Sequence, residues 1–251
     1  MGGNSEDRRI TNDAVCIWKE CCKAASAGRE PIHEVLIQEG IRDTALEGEI
    51  KKRRIPVKVL GRKKMDQLLN GNHQGIAACI DDYKTWELEE LLESVPQGKQ
   101  PLLVMLDGLE DPHNLGAILR TCDCIRADGV IIGKHRNVRL TPTVAKVSTG
   151  AIDTVKVSVV TNLVQAIKYL KKQGYWVVGT DFENSRDYRE GQYDVPLVLV
   201  IGSEGFGISS LVKKNCDYCV RLPMEGSVSS LNASVAAGIL LYQIHAQRHP
   251  L

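Results

Sequence analysis

The sequence predicts an α/β protein of two units: a small N-terminal one and a larger one built on a mostly parallel sheet. Three observations predict it. Short β-branched apolar runs alternate with stretches of helical period along the chain, as strands covered by helices do. An acidic stretch ending in a Pro-Gln-Gly break interrupts that alternation at 81–98. The 251 residues are enough for about one to two domains with a substantial core.

In the first unit, 12–27 carries Val15, Trp18, Cys22 and Ala25 at helical spacing and is expected to form an amphipathic helix. Strands are expected at 32–38, 56–60 and 75–80, with helices at 44–52 and 65–69 between them. Helices flanking a short sheet make 1–80 a small α/β/α domain. Residues 81–98 read as an acidic linker. Within it, Leu88, Leu91, Leu92 and Val95 fall at i, i+3, i+4 and i+7, so part should be a helix laid on a neighbour.

Residues 99–251 form the second domain. Strands are expected at 102–106, 129–132, 155–160, 175–180, 197–201 and 218–222. Helices are expected at 114–126, 142–150, 162–173, 208–215 and 230–247. The last helix is expected to bury Leu231, Val235, Ile239 and Tyr242 in one stripe, while Ala233, Ala236, Ala237 and Gly238 permit close packing.

The net charge of +1 conceals an uneven distribution. Residues 1–80 hold 14 Lys and Arg against 11 Asp and Glu, 81–98 hold one against six, and 99–251 hold 17 against 14. Both domains are therefore mildly basic. Lys51-Lys52-Arg53-Arg54 and Arg62-Lys63-Lys64 are the dense clusters of the first; they suit either a solvated face or contact with phosphates. No run of about 18 apolar residues is present, so no transmembrane helix is expected. The first ten residues lack an apolar signal core, and a cytoplasmic protein is expected. Eight cysteines in such a chain read as reduced thiols. Cys216 and Cys219 form a lone Cys-x-x-Cys; small buried apolar residues are the plain reading and zinc the alternative.

Two strands of the second domain each end in a glycine-bearing loop that opens a helix. The first loop is Gly202-Ser203-Glu204-Gly205-Phe206-Gly207; the second runs from Pro223 through Gly226 and Ser230 to Asn232. Glycines let backbone amides approach a ligand closely. The order Gly-x-x-Gly-x-Gly is not the dinucleotide fingerprint, and no Walker sequence is present.

These loops resemble motifs two and three of the SpoU family of RNA 2′-O-methyltransferases, in the SPOUT superfamily. Upstream, Leu106-Asp107-Gly108-Leu109-Glu110-Asp111-Pro112-His113-Asn114-Leu115-Gly116-Ala117-Ile118-Leu119-Arg120-Thr121 resembles motif one. The first domain, with His73-Gln74-Gly75 before its last strand, is similar to the RNA-binding domain of ribosomal SpoU enzymes. The resemblance implies a trefoil knot in the second domain, a homodimer, S-adenosylmethionine as methyl donor, and no metal. It implies an RNA substrate, in particular a guanosine of large-subunit (23S) ribosomal RNA, with Lys51, Lys52, Arg53, Arg54, Arg62, Lys63 and Lys64 contacting RNA. Gly202, Gly205, Leu222, Met224 and Leu231 would hold the donor, and Asn114, Arg120, Glu204, Ser230 and Asn232 would form the catalytic set.

Each of these residues also has a plainer reading. Leu222 and Leu231 suit core packing, and Asn114, Ser230 and Asn232 suit helix starts. Glu204 could cap a helix. Arg120 sits in an otherwise apolar helical stretch and wants a partner. The family assigns the matching arginine as base, but a guanidinium holds its proton at ordinary pH, so gripping a phosphate and stabilising an alkoxide is easier. The rival functions are a tRNA or antibiotic-resistance ribose methylase, a non-catalytic RNA-binding assembly factor, and a Rossmann-type metabolic enzyme, which the missing phosphate loop disfavours.

Overall fold

The computed structural model describes residues 15–17, 32–69, 73–80, 83–135 and 137–250. The chain divides into two units, Met1–Tyr83 and Lys84–Leu251.

The first unit contains β1 (Val15–Ile17), β2 (Ile32–Gln38), α1 (Thr44–Arg53), β3 (Val57–Leu60), α2 (Arg62–Leu68) and β4 (Ile76–Ile80). Its sheet has the order β1-β4-β2-β3, with β2 and β3 parallel and β4 antiparallel to β1 and β2. The strand period of two decides the layers. Val35, Ile76 and Ala78 pack with Leu46 and Ile50 of α1, while Leu36, Leu60 and Ala77 pack with Met65 of α2 and Leu69 just beyond it. The result is the expected α/β/α sandwich. The helix expected over 12–27 is not formed at Val15–Ile17, which pairs with Ala77–Cys79 of β4 as a strand. A Val-Cys-Ile run offered a sheet edge takes the ladder over the helical period. Trp18, Cys22 and Ala25 lie outside the described residues. His73 orders the turn into β4: its Nδ1 accepts from the Gly75 amide at 2.9 Å, and its Nε2 lies 2.8 Å from Asp66 Oδ1.

The second unit runs through α3 (Leu88–Glu93), β5 (Leu102–Asp107), α4 (Pro112–Cys124), β6 (Gly129–Gly133), α5 (Pro142–Ser148), α6 (Ala151–Thr154) and β7 (Val157–Val160). It continues through α7 (Leu163–Lys172), β8 (Trp176–Thr180), β9 (Arg186–Asp187), β10 (Leu197–Gly202), α8 (Ser210–Asn215), β11 (Tyr218–Arg221) and α9 (Ala233–Arg248). Its seven-stranded sheet is parallel throughout, in the order β7-β6-β5-β10-β8-β11-β9. Leu103, Met105, Val198, Val200 and Val177 point to the face covered by α3, α7 and α8, where Leu88, Leu91, Ile167, Leu170 and Val212 meet them. Residues 84–98 thus belong to this unit, and the acidic stretch is anchored by its leucines. The opposite face is covered by α4 and α9, which pack on each other. The helix expected at 142–150 is two helices, because Thr149 and Gly150 are left-handed, with φ of 53° and 95°.

The apolar stripe of α9 is not buried as expected. Ala233, Ala237, Leu240, Leu241 and Ile244 face the core instead, and Val235, Ile239 and Tyr242 are 50%, 38% and 54% exposed. The helix is apolar on most sides, and the alanine face admits the closer approach to α4 and β10. At its far end Arg248 ties α9 to the sheet, donating to the carbonyls of Gln100, Tyr193 and Val195 at 2.8, 2.9 and 2.6 Å.

The chain builds outward from β5 to β7, then returns to place β10 directly beside β5. In such sheets ligands bind beyond the carboxyl ends of strands near the reversal. Both glycine-bearing loops, after β10 and β11, emerge at that end.

Candidate active site beyond the carboxyl ends of β10 and β11

The turn after β10 is built by its glycines. Ser203 and Gly207 exchange reciprocal backbone hydrogen bonds of 3.0 Å, and Gly205 and Gly207 have φ of +81° and +65°. A Cβ on Gly202 would lie 2.0 Å from the Gly207 carbonyl carbon. These glycines therefore serve first to fold the turn onto itself. Asp107 at the end of β5 holds it from below, its Oδ2 accepting from the Ser209 amide at 2.7 Å.

This turn and the segment after β11 enclose a cleft of about 490 Å³. Gly202, Gly205, Leu222, Met224 and Leu231, expected to hold a donor, all line it, as do Glu204 and Ser230. Ala233, Ala236 and Leu240 of α9 form its apolar floor, and Thr180 at the end of β8 with Asp181 and Phe182 beyond it form a third wall. No sequence signal marks that wall, because residues 180–182 carry no glycine signature. Neither Leu222 nor Leu231 belongs to the buried core.

Asn114, Glu204 and Asn232 meet beside the cleft. Asn114 Nδ2 donates to Glu204 Oε1 at 2.9 Å, and Asn232 Nδ2 donates to both Asn114 Oδ1, at 2.9 Å, and Glu204 Oε1. The Ala233 amide donates to the same Glu204 oxygen at 3.2 Å. Asn232 is the N-cap of α9, its Oδ1 accepting from the amides of Ser234 and Val235. Asn114 is not a cap. That position belongs to Asp111, whose carboxylate accepts from the His113 amide at 2.9 Å, so Asn114 stands one turn further in, buried and free to join the network. Glu204 caps α9 rather than the helix that follows it, and its Oε2 has no partner among the described residues.

Two members of the expected set stand apart. Arg120 is exposed on α4 with no hydrogen-bond or ion-pair partner among the described residues, so burial is not what fixes it there. Ser230 is half-buried in the cleft wall, two residues before the cap of α9.

Residues 101–242 match the SpoU rRNA Methylase family, and residues 19–86 match the domain described as RNA 2'-O ribose methyltransferase substrate binding. The chain belongs to the SpoU family.

A Staphylococcus haemolyticus protein with the provisional name TrmH family tRNA/rRNA methyltransferase is 46% identical over 94% of this chain and 97% of its own. Bacillus subtilis YacO, also provisionally named a TrmH family tRNA/rRNA methyltransferase, is 48% identical over 80% of this chain and 81% of its own. Among solved structures, the SpoU methyltransferase AviRb of Streptomyces viridochromogenes, in complex with AdoMet, superposes with a TM-score of 0.77 at 24% identity. The match covers 98% of this chain and 94% of that one.

In this SpoU chain, the residues expected to touch RNA lie in the first unit. Lys51, Lys52 and Arg53 fill the last turn of α1, where the helix dipole favours cations, and Arg54 follows in a left-handed cap. Arg62, Lys63 and Lys64 open α2, where the dipole disfavours them, so helix stability does not explain this cluster. All seven side chains are exposed; Arg53 pairs with Glu49 at 2.8 Å and Arg62 with Asp66 at 3.9 Å. Among the described residues no group of three or more His, Cys, Asp and Glu is placed to hold a metal ion, and no helix is long and apolar enough to cross a membrane.

Proposed function

We propose that this SpoU protein transfers a methyl group from S-adenosylmethionine to a ribose 2′-hydroxyl of RNA. The observation that carries the reading is the Asn114–Glu204–Asn232 network, drawn from three separate motifs to the edge of one glycine-turned cleft. The cleft fits the donor. Its volume lies within the range of small-ligand sites, and its mix of alanine floor, Leu222 and Leu231 with polar loop backbone suits a nucleoside that is part apolar and part hydrogen-bonding. When bound, S-adenosylmethionine supplies a methyl carbon activated by a sulfonium.

The residues then divide the remaining work. Gly202, Gly205, Leu222, Met224 and Leu231 hold the donor. Asn114 and Asn232 fix one oxygen of Glu204, leaving Oε2 to accept from the ribose hydroxyl, orient it and take up its proton as the 2′-oxygen is methylated. Ser230, in the cleft wall, contacts the substrate, and Arg120, unencumbered by any protein carboxylate among the described residues, grips an adjacent phosphate and steadies negative charge developing on the 2′-oxygen. Lys51, Lys52, Arg53, Arg54, Arg62, Lys63 and Lys64 supply sequence-independent phosphate contacts.

The substrate is a guanosine of large-subunit ribosomal RNA, a reading supported by the leading substrate-binding domain and by the ribosomal description of the family. The protein acts in the cytoplasm as a homodimer, in which a second copy covers Val235, Ile239 and Tyr242 across a two-fold axis. The C-terminal segment follows a trefoil-knotted path, a reading supported by membership of the SpoU family.

The test is transfer of a tritiated methyl group to unmodified 23S RNA, followed by alkaline hydrolysis. A 2′-O-methyl leaves an alkali-resistant dinucleotide, and its sequence identifies the nucleoside. Label on a base, or on transfer RNA alone, would overturn the reading.

A further inference from the structure

The chain contains two phenylalanines, and both line the mouth of the same cleft: Phe182 at 55% exposure and Phe206 at 93%. Phe206 is not a side chain on a loose loop. It sits at the tip of the turn closed by the reciprocal Ser203–Gly207 hydrogen bonds, between two glycines in the left-handed region. Its ring, held out into solvent, touches no ring or cation among the described residues, although burial would be the favourable place for so much apolar surface. Glu204 is two residues away, which limits the separation of their Cα atoms to about 7 Å.

Resting on the ribose-methylation reading, we propose that Phe206 is the stacking platform for the target nucleobase. The base of a ribonucleotide is attached at C1′, the carbon next to the one bearing the 2′-hydroxyl. A ribose placed with that hydroxyl at Glu204 therefore brings a flat heterocycle within reach of the turn's tip. Enzymes reading single-stranded RNA hold splayed bases on aromatic faces, and a phenyl ring does so without choosing the base. The donor's adenine is a poorer occupant, since Phe206 stands at the lip and not against the alanine floor. Phe206 is thus a positioning residue for the substrate, and base identity is read by other groups.

The experiment compares Phe206→Ala, Phe206→Leu and Phe206→Trp in the full-length protein, using in vitro transcribed, unmodified 23S RNA as the probe. The alanine and leucine variants should each weaken RNA binding and raise KM for RNA about tenfold, as removal of one base–aromatic stack does. S-adenosylmethionine affinity and sedimentation should be unchanged. The tryptophan variant should stay within about threefold of wild type, and its added indole emission should be quenched on RNA binding, as stacking predicts. Unchanged RNA affinity in the alanine variant, or full rescue by leucine, overturns the proposal. So does weakened donor binding, which would place the ring on adenine, or a shift to monomer, which would place it in a protein interface. If the wild type binds RNA but transfers no methyl group, the methylation reading fails, while the RNA affinities still decide for or against Phe206.

Discussion

Asn232 uses one side-chain nitrogen to reach both Asn114 and Glu204, while its oxygen caps α9 through the amides of Ser234 and Val235. One residue thus fixes a helix end and the geometry of the site together. Asn232→Ala should remove both functions: stability falls by about 1 kcal/mol, the ordinary cost of removing an N-cap. Methyl transfer should fall by about 100-fold or more, the scale of deleting one preorganised polar group. Asn232→Asp separates the two, since aspartate caps as well as asparagine but sets a like charge against Glu204. The cap of α9 should persist, seen as unchanged helix content by circular dichroism, while transfer is abolished, measured by tritium incorporation. Normal turnover in the aspartate variant would reduce Asn232 to a cap.

Arg120 offers the opposite dissociation. It is exposed and partnerless among the described residues, so Arg120→Ala should change stability by no more than about 0.5 kcal/mol, as surface substitutions do. Transfer should nevertheless drop by about 100-fold or more if the guanidinium stabilises charge during reaction. Donor affinity by calorimetry should stay within a few-fold of wild type. Arg120→Lys should recover only part of the rate, because a point charge cannot reproduce the bidentate grip. Loss of donor binding in the alanine variant would instead make Arg120 part of the donor site.

What the sequence makes legible follows from physical scale. The strands of the second unit stand out because a fully covered parallel strand is an unbroken apolar run, as in residues 197–202 and 102–106. β9 is two residues long, Arg186–Asp187, and exists only because β11 offers an edge. The buried face of α9 does not follow from pattern, because apolar residues occur on several sides. The choice between the alanine face and the Val235–Ile239–Tyr242 stripe depends on how closely α4 and β10 approach. Asn114 and Asn232 are 118 residues apart, so no local spacing could join them; family motifs could. Asp107 lies within motif one without an assigned role, since its partner, the Ser209 amide, is 102 residues away.

The cluster that opens α2 gives a salt-dependence test. Lys63 and Lys64 are exposed at a helix start where cations are disfavoured, and phosphate binding is the role that would justify them. Lys63→Ala combined with Lys64→Ala should lower the slope of log K against log salt by about 1.4, near 0.7 for each single-strand phosphate no longer neutralised. Filter binding of 23S RNA between low and moderate salt reads this directly. The double variant should fold normally, since two cations leave a helix N-terminus. An unchanged slope would return the cluster to a solvated face.

The outward stripe of α9 leads to the last prediction. Val235, Ile239 and Tyr242 recur at i, i+4 and i+7, a helical seam left open beside Leu231 of the cleft wall. In a two-fold assembly this seam meets its own copy, so one carboxylate introduced on it appears twice across the axis. If the proposed homodimer forms through this seam, Ile239→Asp should convert it to a monomer by sedimentation velocity. Because Ile239 is 38% exposed in the single chain, the monomer should keep its fold and its circular dichroism. Transfer should fall with dimerisation, since the seam starts beside the cleft and its disruption frees the Ser229–Leu231 wall. Ile239→Val keeps the seam apolar and should retain both assembly and activity. A carboxylate variant that still sediments as a dimer would mean that a different face joins the copies.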